Sequence, residues 1–351
     1  MDTDVAIIGA GLSGLALARR MEQAGTDYVV IEARERIGGR IKTLEYKGAR
    51  FDLGPSWFWP GQPRMAELVR SLGLAVFDQY AEGDLTYEDE AGRVQRGVGY
   101  ASMEGSYRLE GGMSALIAGL AAGLADERIL TGNAAMSLSL AKGVMLASGG
   151  TIRAERYVLA LPPRVAAGLV FEPQLSDAQM STLRSVPTWM AGQAKFVAVY
   201  ERPFWRQDGL SGDAMSRQGP LVETHDASSP QAGPGALFGF VGVPVQIRQS
   251  RQADLKAAAL QQLVRLFGNE AGNPLQTALQ DWAFETETAA ELDHQALSSH
   301  PQYGLSPELA GLWGGRLMLC VSETAAEFGG YLEGALAAAE TTAMLLEKEI
   351  Q

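Results

Sequence analysis

Glycines at residues 9, 11 and 14, with a lone acid at residue 32, carry the first chemistry legible in this chain. In the turn Gly9-Ala10-Gly11-Leu12-Ser13-Gly14, Gly9 allows a tight bend, Gly11 lets the backbone approach a pyrophosphate, and Gly14 lets helix and strand pack closely. Glu32 stands where a carboxylate can accept hydrogen bonds from ribose hydroxyls, and its charge disfavours a 2′-phosphate. Directly after it, in "ARERIGGRI", Ala33 is followed by Arg34, Arg36 and Arg40 around Gly38-Gly39. Guanidinium forks beside a second glycine turn are a suitable second grip on a diphosphate. Far along the chain, Lys195 is the one charge in the apolar run "AKFVAVY".

A strand, a turn, a helix and a second strand must position these groups. Val5, Ala6, Ile7 and Ile8 form a short apolar strand of the kind buried in a parallel sheet, and the glycine turn follows at once. A helix then carries Leu12, Leu15, Ala16, Ala18 and Arg19 and ends at Gly25, which can adopt the left-handed C-cap conformation. The second strand, Tyr28 to Ile31, delivers Glu32. The helix N-terminus offers unpaired N–H groups and a partial positive charge to phosphates. Lys195 sits on a third strand, where alternation places it on one face with Gln193, Val197 and Val199. From the strand pattern alone it reads as a lysine near a strand end that snorkels to water along its methylene stem.

The chain has 351 residues, 46% of them apolar, enough for one large or two ordinary domains. No uncharged apolar run reaches about eighteen residues, and "MDTDVAIIG" lacks the basic region of a secretory signal, so a soluble, cytoplasmic location is expected. The single cysteine, Cys320, excludes an intramolecular disulfide, a cysteine metal cluster and a redox dithiol. Redox chemistry would therefore need a bound cofactor. A net charge of −12 argues against nucleic acid and anionic membrane as partners. A second glycine fingerprint for a nicotinamide domain is absent from the sequence, so electrons are expected to come from the substrate itself.

Taken with their order, these motifs resemble the flavin-containing amine oxidase family. "RIGGRI" is similar to its Arg-x-Gly-Gly-Arg element, and "FDLGPSWFWPGQPRM" to a segment that runs beside the flavin ring, which the resemblance maps onto Gly54, Pro55, Ser56 and Trp57. "RLEGGMSALIAGLAAGL" and "RYVLALPPRV" resemble two further elements, and "SETAAEFGGYLEGALAAAETTA" resembles the C-terminal signature. The resemblance implies an α/β fold: a Rossmann-like FAD-binding domain of the p-hydroxybenzoate hydroxylase and amine oxidase type, with a second, α+β substrate domain. It assigns residues 1–74, 107–170 and 301–351 to the first and 75–106 and 171–300 to the second.

It also implies site residues. FAD, held non-covalently because no cysteine lies where some members attach it, would contact the glycine turn, Glu32 to Arg34, Gly38 to Arg40, residues 54–57, Ala135, Glu323, Gly330, Tyr331 and Leu332. "AKFVAVYERPFW" matches the family strand whose lysine holds a water against flavin N5, which places that role on Lys195. Burial would lower the pKa of such a lysine and leave it able to manage proton transfer. Tyr331 matches one wall of the aromatic pair that flanks the amine, with a core-packed tyrosine as the alternative reading. The second wall falls on Gln295 or Ala296, with His294, His300 and Tyr303 nearby. Trp57 shapes the substrate pocket, and Trp282, in "LQDWAFE", reads as a strand residue that is either a pocket wall or core.

The activity so implied is oxidation of a C–N bond to an imine by hydride transfer to flavin, with dioxygen as acceptor. A C–C desaturase or oxidase, or a flavin-binding subunit with little activity of its own, stands as the alternative. Only residues 62–110 separate the Gly-Pro-Ser-Trp segment from "LEGGM", where larger members place a substantial helical portion. That shortening points to a more open site, or one completed by another chain in a homo- or hetero-oligomer. The small-molecule substrate is accordingly expected to be bulky or presented by a partner. Elsewhere, residues 212–237 read as strands joined by long turns, residues 249–268 as a helix, and residues 332–349 as a final Ala-rich helix.

Overall fold

In the computed structural model, residues 1–230, 233–295 and 297–350 are described, with side chains as far as 347. Strand β1 (Asp2–Ile8) lies between β2 (Tyr28–Ile31) and the strand Thr151–Leu159, parallel to both, with Ile8 opposite Ile31 and Leu159. Helix α1 (Leu12–Ala24) joins β1 to β2 and ends where Gly25, at φ +69°, returns its amide to Glu22 and Met21 carbonyls. Beyond β2 lies Ile129–Leu130, and beyond Thr151–Leu159 the sheet continues through Gly143–Leu146, Ala135–Ser139 and Val170–Glu172. Leu317–Leu319 also pairs with Thr151–Leu159, making eight strands.

Because β1 and β2 are apolar at every step from Val5 and from Tyr28, both sheet faces must be covered. One face packs on α1, on the helix Ser114–Ala121 and on the final helix Leu332–Ile350 through Leu15, Leu116 and Leu336. The other packs on Phe171, Leu175, Leu183 and Leu312. The strand Val170–Glu172 and the helix Asp177–Ser185 therefore belong with this first sheet, and a boundary drawn after residue 170 cuts through that strand.

A second sheet of seven strands runs in the order Gln276–Asp281, Ala194–Tyr200, Gly235–Val241, Leu221–Asp226, Leu210–Ser216, Asp84–Glu88, Val94–Arg96. The stretch 212–237 thus holds three strands or parts of them. The helix Gln252–Phe267 covers one face, burying Leu263, Leu266 and Phe267 against Phe196, Ala198 and Tyr200. On the opposite face Val197 and Val199 pack with Phe51, Leu53 and Phe238. Period-two alternation puts Lys195 on that second face, toward the segment 51–57. The strand expected through Trp282 stops at Asp281, whose carboxylate accepts from the Ala283 amide and starts a short helical turn, Trp282–Phe284. Among the described residues no helix is long and apolar enough to cross a membrane, and no group of His, Cys, Asp and Glu is placed to hold a metal.

Candidate active site

A cavity of about 380 Å³ runs from the C-terminal end of β2, past the N-terminus of α1, to the face of the second sheet that carries Lys195. Gly9 takes φ +112°, and its amide donates to the Ile31 carbonyl at 2.7 Å, closing the turn. A Cβ on Gly14 would sit 2.0 Å from the Gly9 oxygen, so helix and strand touch there. On Gly11 a Cβ would meet nothing within 4 Å: it would point into the cavity. No side chain caps the start of α1, and Leu12 and Ser13 line the cavity, which leaves the helix N-terminus to face whatever lies in it. Gly38 donates to the Ala10 carbonyl at 2.8 Å, which brings the second glycine turn against the first.

Glu32 is buried and held on both oxygens, by the Ala10 amide at 3.0 Å and by the Arg34 amide at 3.0 Å. A carboxylate has about four lone-pair sites, so acceptor capacity remains for ribose hydroxyls. Ala33, Arg34 and Ala135 line the cavity beside it. Arg34 is paired with Glu285 at 2.8 Å and Glu287 at 3.4 Å, and Arg40 with the buried Glu323 at 3.0 Å. Arg36 does not reach the cavity lining. Its guanidinium donates to the Ile37, Gly39 and Ile41 carbonyls and clamps the turn from behind, and burial lowers its pKa. Glu323 and Gly14 are likewise outside the lining: Glu323 holds Arg40, and Gly14 packs the helix.

Gly54, Pro55, Ser56 and Trp57 form the wall opposite the lysine strand. Lys195 does not snorkel. It is 3% exposed and donates to the Ser56 hydroxyl at 2.6 Å and the Gly54 carbonyl at 3.2 Å, with the Phe238 ring 3.7 Å away. Burial pulls its pKa down to about 7, against the pull of Asp52, which would keep it charged; Arg108 adds a small push downward. Asp52, also buried, has its pKa raised by desolvation while one oxygen accepts from the Met113 amide at 2.8 Å. The Trp57 indole is fixed by Gln79 at 2.8 Å and packs edge-on against His225.

Gly330, Tyr331 and Leu332 enter from the start of the final helix. Tyr331 is 37% exposed, faces Trp59 edge-on at 6.3 Å, and is stacked from behind by His300 at 5.0 Å. Gly330 is wedged so that a Cβ would lie 3.0 Å from Tyr303, 3.2 Å from Trp189 and 3.3 Å from His300. Neither Gln295, which is exposed, nor His294, bonded to the Ala283 carbonyl, lines the cavity; Ala296 lies outside the described residues. The lining ring that meets Tyr331 is instead Trp59, while Trp189, also in the lining, packs on His300 at 5.0 Å, its amide donating to the Tyr303 hydroxyl at 2.9 Å. Trp282 is both buried and in the lining, its indole donating to the Leu53 carbonyl at 2.8 Å.

Trp59, Trp189 and Phe240 are lining residues that sequence reasoning did not single out. Trp59 was within reach, two residues from Trp57 on the same extended segment. Phe240 enters only through the sheet register that sets it opposite Lys195. Trp189 lies in an irregular approach to the lysine strand and carries no periodic signal.

The residues fit FAD: an open cradle at Gly11, a helix N-terminus for phosphate, a ribose acceptor, and a long cavity ending at a lysine of low pKa. Cys320 is buried outside the lining, and burial raises its thiol pKa to about 12.

Comparison with known proteins agrees. A family model described as "Flavin containing amine oxidoreductase" matches residues 12–100 and 85–346. A probable flavin-containing monoamine oxidase A of Dictyostelium discoideum is 23% identical over 95% of this chain and 95% of its own length. Putrescine oxidase of Kocuria rosea is 23% identical over 96% and 93%. Among solved structures, cyclohexylamine oxidase from Brevibacterium oxydans IH-35A superposes with a TM-score of 0.82 at 20% identity, covering all of both chains. Putrescine oxidase bound to putrescine does so at 0.81 and 22%.

Proposed function

The chain belongs to the flavin containing amine oxidoreductases and is a flavin-dependent amine oxidase in kind; on that premise we propose that it binds FAD non-covalently and oxidises an amine to an imine. The observation that carries the reading is one continuous cavity that joins the glycine turn and Glu32 to Lys195 and Tyr331. When bound, FAD would supply a two-electron acceptor for the hydride leaving the substrate's α-carbon, with dioxygen as the final oxidant.

The chain's own residues do the rest. Glu32 takes the adenosine ribose, and the N-terminus of α1 takes the diphosphate, with the glutamate-paired guanidiniums of Arg34 and Arg40 in the same lining. Residues 54–57 form a wall for the ring, held in place by the lysine's hydrogen bonds to Gly54 and Ser56. With a pKa near 7, Lys195 can hold a water through one N–H or lone pair and exchange a proton with it at neutral pH. Tyr331, Trp59 and Trp57 exclude water around the substrate nitrogen, so that the neutral amine is favoured over its hydrated cation. The imine is released to water, which hydrolyses it to a carbonyl compound and ammonia or a smaller amine. Residues 1–74, 107–185 and 301–347 would hold the cofactor, and the seven-stranded sheet the substrate. Anaerobic titration of the yellow protein with a panel of amines tests this: the visible absorbance should bleach with at least one amine, and a panel that leaves it unchanged would defeat the proposal.

A further inference from the structure

We infer that His225 is a positioning residue: clasped as an imidazolium between Asp213 and Glu223, it holds the Trp57 wall of the cavity beside Lys195, and the wall loosens when that proton leaves. The kinetic consequence rests on the amine-oxidation reading; the state of the histidine does not. His225 is 1% exposed and lies outside the cavity lining, behind Trp57. Its Nδ1 is 2.8 Å from Asp213 Oδ1, and its Nε2 is 3.1 Å from Glu223 Oε1, an ion-pair contact too bent for a good hydrogen bond. A neutral imidazole has one N–H, so one of its nitrogens would turn a lone pair on a carboxylate; the imidazolium turns an N–H to each. Burial alone would lower the pKa of His225, but the two carboxylates outweigh it and raise it.

The remaining neighbours leave the charge to this clasp. Asp213 comes from the strand Leu210–Ser216 and Glu223 from the histidine's own strand, while Trp57, Phe238 and Phe240 pack on the ring without charge. Farther off, Asp226 is paired with Arg206 at 2.7 Å, Arg108 donates to the Ala227 and Ser228 carbonyls, and Lys195 stands 3.7 Å from the centre of the Phe238 ring. The Trp57 ring lies 5.1 Å from the imidazole and 5.9 Å from Lys195 Nζ. Its indole N–H donates to Gln79, which in turn donates to the Asp226 carbonyl at 2.8 Å, so the strand that carries the histidine supports Trp57 twice. Glu223 is 28% exposed and accepts from the Ser102 hydroxyl at 2.5 Å, which gives protons a way from solvent to the clasp. Loss of the proton leaves two carboxylates against a neutral ring, and their repulsion moves the imidazole from the place where it props Trp57.

The test uses the flavin-loaded full chain. Three histidines are present in the sequence, so NMR of nitrogen-15-labelled imidazoles can follow His225, identified by the signals lost in His225→Gln. Both ring nitrogens should be protonated at pH 7.5, about one unit above the ordinary histidine value, and a neutral ring there overturns the inference. The rate constant of anaerobic flavin reduction is then compared between the native protein and His225→Gln from pH 6 to pH 10, with one amine that bleaches the native protein. Lys195 and the amine titrate alike in both, so their effects cancel in the ratio. The native protein should be about tenfold faster while His225 is protonated, and the ratio should fall toward one through the midpoint read by NMR. A ratio that does not change with pH marks a purely structural role and overturns the inference. Glu223→Gln, at a partly exposed position, serves where His225→Gln does not fold: relative to the native protein it should move the NMR midpoint and the pH at which reduction slows downward together, and midpoints that stay in place overturn the inference. If no amine bleaches the flavin, amine oxidation fails, and the same pH comparison on the visible spectrum of the bound flavin decides the positioning role: a difference between native and variant protein that fades as His225 deprotonates sustains it, and one that is constant with pH overturns it.

Discussion

Replacing Lys195 by Met should change how stability depends on pH, by an amount that follows from the lysine's surroundings. In the folded protein its pKa falls from 10.5 to about 7 because burial between Phe238 and the 54–57 wall disfavours the charged form. The unfolded chain then binds a proton that the folded chain does not over the window from about 7 to 10.5, so stability rises with pH across that window. One pKa unit is worth about 1.4 kcal/mol, so the full difference approaches 5 kcal/mol, and between pH 7 and pH 10 linkage leaves roughly 3 kcal/mol. Lys195→Met keeps the length of the side chain and removes the titration. It also leaves the Ser56 hydroxyl without its donor, a cost of about 1–3 kcal/mol that does not vary with pH. Urea denaturation of both proteins, each saturated with FAD, at pH 7, 8, 9 and 10 gives the stability difference directly. The native protein should gain on Lys195→Met by roughly 3 kcal/mol from the lowest to the highest pH. Parallel curves would refute the reasoning and mean that the lysine is charged in place, with Asp52 as a full ionic partner.

Three further substitutions separate cofactor binding, packing and substrate contact. Gly11→Val points a side chain into open cavity, so the fold should survive while FAD affinity drops by about 100-fold or more, measured as flavin retained on desalting against circular dichroism of the same sample. Gly14→Ala drives a Cβ against the Gly9 carbonyl and should destabilise the protein by about 1–3 kcal/mol even without flavin; an unchanged apoprotein melting temperature would contradict the packing role. Tyr331→Leu removes a partly exposed ring stacked on His300 and should cost no more than about 1 kcal/mol of stability. It should still slow anaerobic flavin reduction by about tenfold, and equal rates would remove Tyr331 from the substrate site.

Much of the geometry where β1, α1 and β2 meet the cavity could be read from the sequence because each of its requirements is local. Glycine spacing, a strand of four apolar residues and an acid at the end of the next strand lie within residues 5–32, and short-range sterics fix their geometry. Reading Lys195 needed more than its strand. Alternation named the face, but only the packing of segment 51–57 on that face decided that the lysine is buried instead of snorkelling. Arg36 shows the opposite failure: its position beside Gly38-Gly39 suggested a phosphate grip, yet three neighbouring carbonyls take its donors. The aromatic end was the least legible, because Phe240 arrives by sheet register and Trp189 from an aperiodic loop, and neither leaves a mark in the linear pattern.

The central claim, oxidation of a C–N bond at this cavity, is tested most directly by product stoichiometry in a single anaerobic turnover with a primary amine. One equivalent of ammonia and one of carbonyl compound per flavin bleached is the predicted result. Bleaching without release of ammonia would contradict it and assign the flavin to oxidation of a C–C bond.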